Sequence, residues 1–294
     1  MKILITGCDG YLGGKITKRI LETTDLGVVG LTMSMDFVKT MLEREGLTVS
    51  DRLSFVTNEE FLNSEDGDMA GEIGGAVHLA FSRRMQPARD IASSIDFAAQ
   101  IFHKLSEYHI DRVINMSSQG VYGNTEEIRT EDTSPAPETQ YTMAKYAAEV
   151  LFRDIMRDCP HHTSFRLDPV AQSQNVVKGL VKSAAEGKIS LRGGKQVFSF
   201  IDADDVPDAV IAMLKTEGEW DSIYNVGWTG RRFTLVELAD IISDAAESKG
   251  LTRPVIELKE AEISLWAGMD ASRFMERTGW RPSVSIEETI ESMF

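Results

Sequence analysis

Along the first two thirds of the chain, short apolar runs alternate with stretches whose apolar residues recur at helical spacing. Lys2 to Thr6 is an apolar run, and Gly13 to Glu22 places Ile16, Ile20 and Leu21 on one face while Lys15, Lys18 and Arg19 turn outward. The same pattern predicts strands at Val28 to Thr32, Arg52 to Thr57, Gly75 to Ala80, Arg112 to Met116 and Ser164 to Leu167. Helices are predicted from Asp36 to Glu45, from about Asp90 to Tyr108 and from about Glu138 to Arg157. Strands separated by helices of this length imply right-handed crossovers and a parallel sheet covered on both faces. After Asp168 the rhythm changes to helices near Val176 to Glu186, Val206 to Lys215, Leu235 to Ser248 and Asp270 to Thr278, with short strands at Ile189 to Leu191 and Val197 to Ile201. Residues 124–139 and 216–222 are polar and turn-rich and read as surface loops. The expected architecture is α/β. A doubly wound parallel sheet spans residues 1–167 with a return segment near 200–226, and a smaller C-terminal lobe is drawn from 168–199 and 227–294.

Composition narrows the function. With 294 residues and 42% hydrophobic content, the chain can bury a core without disulfide or metal staples. Its 46 acidic against 31 basic residues give a net charge of −15, which repels polyphosphate backbones and anionic membranes, so neither is expected as a partner. Two cysteines, Cys8 and Cys159, with no long apolar span and no cleavable signal pattern, predict a cytoplasmic protein with reduced thiols.

Three motifs carry chemistry. Thr6-Gly7-Cys8-Asp9-Gly10-Tyr11-Leu12-Gly13 lies between the first strand and the first helix. There Gly7 allows a tight turn, Gly10 lets a pyrophosphate approach the backbone and Gly13 permits close helix packing. Tyr141-Thr142-Met143-Ala144-Lys145 puts a phenol and an ammonium one helical turn apart, a spacing that Tyr11 and Lys15 also satisfy. A nearby cation is expected to lower the phenol's pKa. Asn115-Met116-Ser117-Ser118-Gln119-Gly120-Val121-Tyr122-Gly123 ends a strand in hydroxyls, either to form a turn or to hydrogen-bond a carbonyl or alcohol.

In this order the motifs resemble the extended short-chain dehydrogenase/reductase family, the Rossmann-fold NAD-dependent epimerase/dehydratase group of nucleotide-sugar epimerases, dehydratases and ketoreductases. The resemblance extends through Val77-His78-Leu79-Ala80, Ser118-x-x-Val121-Tyr122-Gly123, Phe200-Ile201-Asp202-Ala203-Asp204-Asp205-Val206, Tyr224-Asn225-Val226-Gly227 and Thr278-Gly279-Trp280-Arg281-Pro282. It implies that Ser118 polarises the substrate oxygen, that Tyr141 is the acid/base, and that Lys145 binds the nicotinamide ribose and lowers the pKa of Tyr141. It further implies dinucleotide contacts at Gly7, Gly10, Tyr11, Leu12, Gly13, Thr32, Ser34, Leu79, Ala80, Met116, Tyr141, Lys145, Pro169 and Val170, and substrate contacts at Arg83, Ser118, Gln119 and Asp168.

Departures from the family pattern refine these expectations. Gln119-Gly120 stands where family dehydratases show Asp-Glu, so dehydration is not expected. The second strand ends in Thr32-Met33-Ser34 without the carboxylate of NAD-preferring members, and Lys39 is the nearest cation; either NAD or NADP fits, with NADP slightly favoured. Arg166-Leu167-Asp168-Pro169-Val170 replaces the epimerases' Asn-Pro-Val, and Phe198 takes the place of a diphosphate-binding arginine. A second arginine expected before Trp266 has no counterpart, whereas Arg83 falls where a substrate-binding lysine sits. The resulting expectation is hydride transfer at a sugar ring carbon by a nucleotide-sugar 4-ketoreductase. The alternative is a 4-epimerase, followed by a small-carbonyl reductase and a non-catalytic NAD(P)-sensing regulator. A homodimer is compatible with the sequence.

Other features receive ordinary readings. His161 and His162, beside Cys159 on a Pro-containing loop, are not expected to bind metal. Met33, Met35 and Met41 are expected to pack a helix and strand end, Cys8 to be a compact loop residue, and Glu59 to Glu72 to be a solvated loop.

Overall fold

The computed structural model describes residues 1–65, 71–82 and 86–294. They form two compact units. The first comprises Met1–Val121, Pro137–Arg166 and Val206–Tyr224, and the second Tyr122–Ala136, Leu167–Asp205 and Asn225–Phe294.

The elements run β1 (Lys2–Thr6), α1 (Tyr11–Thr23), β2 (Gly27–Thr32), α2 (Met35–Glu45), β3 (Leu53–Thr57), α3 (Asn58–Asn63), β4 (Ile73–His78), α4 (Ala88–Glu107), β5 (Arg112–Met116), α5 (Gln140–Ile155) and β6 (His161–Leu167). They continue with α6 (Asn175–Ala185), β7 (Lys188–Arg192), β8 (Val197–Phe198), α7 (Asp205–Lys215), β9 (Ile223–Val226), β10 (Phe233–Thr234), α8 (Leu235–Ser248), β11 (Val255–Lys259), α9 (Ser272–Thr278) and α10 (Ile286–Glu291). Among the described residues, the large sheet has seven strands in the order β3-β2-β1-β4-β5-β6-β9. β1 pairs in parallel with both β2 and β4, β2 with β3, β4 with β5, and β5 with β6. The strand order reverses between β1 and β4, the switch point at which open parallel sheets bind ligands beyond their C-terminal ends.

Burial explains the strand runs. Ile3, Leu4 and Ile5 of β1 are fully buried, as a strand covered on both faces requires. On α4 the apolar stripe Ile91, Ala98, Ile101, Phe102 and Leu105 is buried. Phe102 meets Phe152 of α5 with ring centroids 4.8 Å apart. Burying each such aromatic contributes roughly 1.5–3 kcal/mol. The second unit has its own core, in which Val177 and Leu180 of α6 pack with Leu238 and Ile242 of α8 and Ile290 of α10. β7 and β11 pair in parallel, and β8 and β10 antiparallel. No helix of the described residues is long and apolar enough to cross a membrane.

Several expectations are corrected. The acidic segment after Glu59 is not simply a loop: Thr57 and Glu60 form a capping box that starts α3, whose Phe61 is fully buried. His161 and His162 lie on β6, which begins three residues before the expected Ser164. Met41 is buried, but Met33 and Met35 are exposed. β4 ends at His78, so Leu79 and Ala80 have left the strand, and β8 stops at Phe198. The polar stretch 124–139 contains a buried arginine, Arg129, which donates to the carbonyl oxygens of Gly123, Trp266 and Gly268 inside the second unit.

Candidate active site

The glycine loop is built by close backbone contacts. Gly7 has φ +66°, a conformation that favours glycine, and its carbonyl accepts from Gly10 N–H at 3.0 Å. A Cβ at Gly13 would lie 2.1 Å from Gly7 O and 2.8 Å from Cys8 Cα, so only hydrogen fits there. α1 starts at Tyr11 and Leu12 directly after Gly10, with no side-chain N-cap and no acid in its first turn. That leaves the positive end of a 13-residue helix facing the loop, a fit for a pyrophosphate.

Thr6 fixes the neighbouring turn. Its hydroxyl accepts from the N–H groups of Leu79 and Ala80, both at 3.1 Å, and therefore donates to His78 Nδ1 at 2.9 Å. Burial, with a smaller contribution from the Lys145 charge, pushes His78 down to about 3, so it stays neutral and works as a structural pin. At the end of β2, the Thr32 hydroxyl donates to Asp9 Oδ2 at 2.6 Å, and Ser34 caps α2 by accepting from Asp36 N–H at 3.3 Å.

β5, α5 and the chain after Met116 carry the candidate groups Ser118, Tyr141 and Lys145. α5 begins at a capping box between Thr139 and Thr142, which fixes the helical turn carrying Tyr141. Lys145, buried on the same helix, donates from Nζ to Met116 O at 2.7 Å and sits 4.1 Å from the centroid of the Phe81 ring. Phe81 in turn packs edge-on against Tyr141 at 6.1 Å. Burial drops Lys145 to about 7 against the opposing pull of Glu149, whose carboxylate is held by Arg166 at 2.8 Å. Ser118 precedes a 3-10 turn over Gln119–Tyr122, and its Oγ accepts from Gly120 N–H at 3.2 Å. Gln119 is buried.

The phenol departs from the sequence expectation: burial pushes Tyr141 up to about 12 instead of a cation lowering it. The ammonium of Lys145 is turned to Met116 O and the Phe81 ring, and Tyr141 has no hydrogen-bond partner among the described residues. At neutral pH Tyr141 is a protonated acid.

Asp168, Pro169 and Val170 belong to the second unit. Asp168 is buried, with Ser199 Oγ donating to its Oδ1 at 2.7 Å and Trp228 N–H to its Oδ2 at 3.3 Å. Pro169 O accepts from Ile201 N–H at 3.1 Å, and Val170 is buried beside Ile201. Burial raises the Asp168 carboxyl from 3.8 to about 7, although Ser199, Trp228 and Arg129 all oppose the shift. The native state thus keeps a proton that the unfolded chain releases, so this group's stabilising contribution is complete at low pH and is lost as pH rises through about 7. Asp168→Asn is expected to flatten that dependence and to raise Tm by roughly 2 °C or more at about pH 8 relative to about pH 5. Parallel Tm profiles of the two proteins in thermal melts would show that Asp168 imposes no such pH dependence.

Arg83 lies outside the described residues. Phe81, the Thr6–His78 pin and the Glu149–Arg166 pair were not anticipated from the sequence. Only Phe81 left a signal there, as an aromatic residue directly after Leu79 and Ala80.

Comparison with known proteins places this geometry. The sequence pattern of the NAD dependent epimerase/dehydratase family matches residues 3–227. The chain belongs to that family. It is 27% identical over 311 residues to a dTDP-4-dehydro-6-deoxyglucose reductase of Escherichia coli, covering 99% of this chain and 96% of the other. It is 24% identical over 340 residues to a dTDP-glucose 4,6-dehydratase of Escherichia coli, covering 99% and 91%. In fold it is similar to the UDP-glucuronic acid 4-epimerase of Bacillus cereus in complex with UDP-glucuronic acid and NAD, with a TM-score of 0.82, 20% identity, and 100% and 98% of the chains covered. A reductase, a dehydratase and an epimerase are thus all among the proteins this chain is similar to.

Proposed function

We propose that this protein is a nucleotide-sugar 4-ketoreductase. When bound, a nicotinamide dinucleotide supplies the hydride. The residues fitted to hold it in the first unit are the loop Gly7, Gly10 and Gly13, the opening turn of α1 and the turn at Leu79 and Ala80. The observation that carries the reading is Tyr141, a protonated phenol with no hydrogen-bond partner among the described residues and one helical turn from Lys145. A protonated phenol is ready to give its proton to a carbonyl oxygen that becomes an alcohol, whereas oxidation of an alcohol would first require it to lose that proton. Ser118 steadies the same oxygen by hydrogen bonding, and Lys145 holds the nicotinamide ribose beside it.

Elimination of water is disfavoured on geometry as well as residue type. A Cβ at Gly120 would come 2.7 Å from Thr142 Cγ2, so an acidic side chain at that position would require the Thr142 side chain, held in the α5 capping box, to give way. Gln119 supplies an amide where an acid or base is needed.

The test is to incubate the purified protein with reduced NAD or NADP and a panel of dTDP- and UDP-linked 4-keto sugars. Consumption of reduced nicotinamide together with a product two hydrogens heavier is expected. Interconversion of 4-epimers without net consumption would replace this reading by epimerisation. Dinucleotide binding without turnover of any sugar would favour a regulator.

A further inference from the structure

We propose that Asp9, from within the glycine loop, supplies the carboxylate that β2 lacks and makes the site selective for NAD over NADP. The inference rests on the dinucleotide reading above and goes beyond it to the residue that recognises the adenosine ribose.

In doubly wound dinucleotide folds, an acid at the end of the second strand accepts hydrogen bonds from the ribose hydroxyls. Here that strand ends in Thr32, Met33 and Ser34, none of them acidic. The loop crosses back to the same place. Cys8 Sγ donates to Leu31 O at 3.3 Å, and the next pair along, Thr32 Oγ1 to Asp9 Oδ2, closes at 2.6 Å. Two consecutive loop residues are thereby fastened to two consecutive strand residues. Cys8 is fully buried, and a Cβ at Gly30 would come within 2.6 Å of its sulfur, so the loop cannot slide along the strand. Asp9 is only partly buried, and its second oxygen makes no hydrogen bond among the described residues.

A carboxylate so placed accepts from a ribose hydroxyl and repels a 2′-phosphate. The cations of α2 do not offset it. Lys39 is paired with Asp36 at 3.1 Å, and Arg44 is paired with Glu45 at 2.7 Å while also donating to Gly10 O at 2.9 Å. The slight preference for NADP inferred from the bare end of β2 is therefore reversed once the loop's contact with that strand is known.

Titration calorimetry with each oxidised dinucleotide tests the assignment without needing the sugar substrate. The wild type is expected to bind NAD at least about tenfold more tightly than NADP. Asp9→Asn, which keeps the side-chain size and the Thr32 contact, should bring the two affinities within about threefold, by weakening NAD and strengthening NADP. Asp9→Ser serves as a second variant in case the amide disturbs the loop. An unchanged affinity ratio in both folded variants, or a wild type that prefers NADP, would overturn the ribose assignment and leave hydride transfer standing. A wild type that binds neither dinucleotide would overturn both.

Discussion

Tyr141→Phe is expected to fold, to bind dinucleotide with unchanged affinity and to lose at least about two orders of magnitude in kcat. Most buried hydroxyls are hydrogen-bonded, and deleting one strands its partner at a cost. Tyr141 makes no such bond among the described residues, so the substitution leaves nothing unpaired and retains the edge-on packing against Phe81. A Tm within about 1 °C of wild type is therefore part of the expectation. The loss must then fall on turnover, since the phenol is the group held protonated where the reading places the substrate oxygen. Ser118→Ala should lose less, because its Oγ is already satisfied by Gly120 N–H and water can take its place toward substrate. Lys145→Met should harm turnover and dinucleotide affinity together, and it also leaves Met116 O without its donor. Full kcat in folded Tyr141→Phe, on any 4-keto sugar the wild type reduces, would refute the assignment of the proton donor.

How much of this was legible in the sequence follows from the range of each interaction. The strands of the first unit are continuous apolar runs with crossover helices between them, a pattern carried by neighbouring residues. β1 and β5 accordingly lie where periodicity predicts them, as does α8 in the second unit. The short elements escaped because their stability comes from single contacts: α3 rests on one capping box and one buried phenylalanine, and β11 forms only by pairing with β7. In the site, the order of glycine loop, Ser118, Tyr141 and Lys145 could be read directly, but the electrostatics could not. The i, i+4 spacing suggests that Lys145 acts on the phenol, whereas Phe81 and Met116 draw the ammonium toward themselves and burial dominates the titration of both groups. Asp9 and Thr32 stand 23 positions apart in the chain, and Arg129 meets Trp266 across 137. Neither pairing has a periodic signature, so a polar loop residue and a buried one look alike until the chain is folded.

Gly13→Ala is expected to lower stability by about 1–3 kcal/mol and to abolish measurable dinucleotide binding. The added carbon would lie 2.1 Å from Gly7 O, 2.8 Å from Cys8 Cα and 2.9 Å from Gly7 C. All three are backbone atoms, so no rotamer change can relieve the overlap and the loop itself must open. Opening it withdraws Gly7 from Ala80 and loosens the chain that Cys8 fastens to Leu31, which is the surface fitted to the pyrophosphate. Gly10 differs in kind. A Cβ there meets Gly7 O at 3.1 Å, a contact the loop can absorb, so Gly10→Val should remain folded and weaken dinucleotide binding at least about tenfold by filling the approach to the phosphates. Gly179 is exposed on α6, and a Cβ added there would meet nothing within 4 Å, so it sets the baseline for a harmless methyl. Gly179→Ala should raise stability by roughly 0.5–1 kcal/mol through helix propensity alone. Thermal melts and calorimetry on the three variants separate the two roles of the loop. If Gly13→Ala melts with wild type and binds dinucleotide normally, the chain between β1 and α1 does not make the tight turn that excludes a side chain at this position.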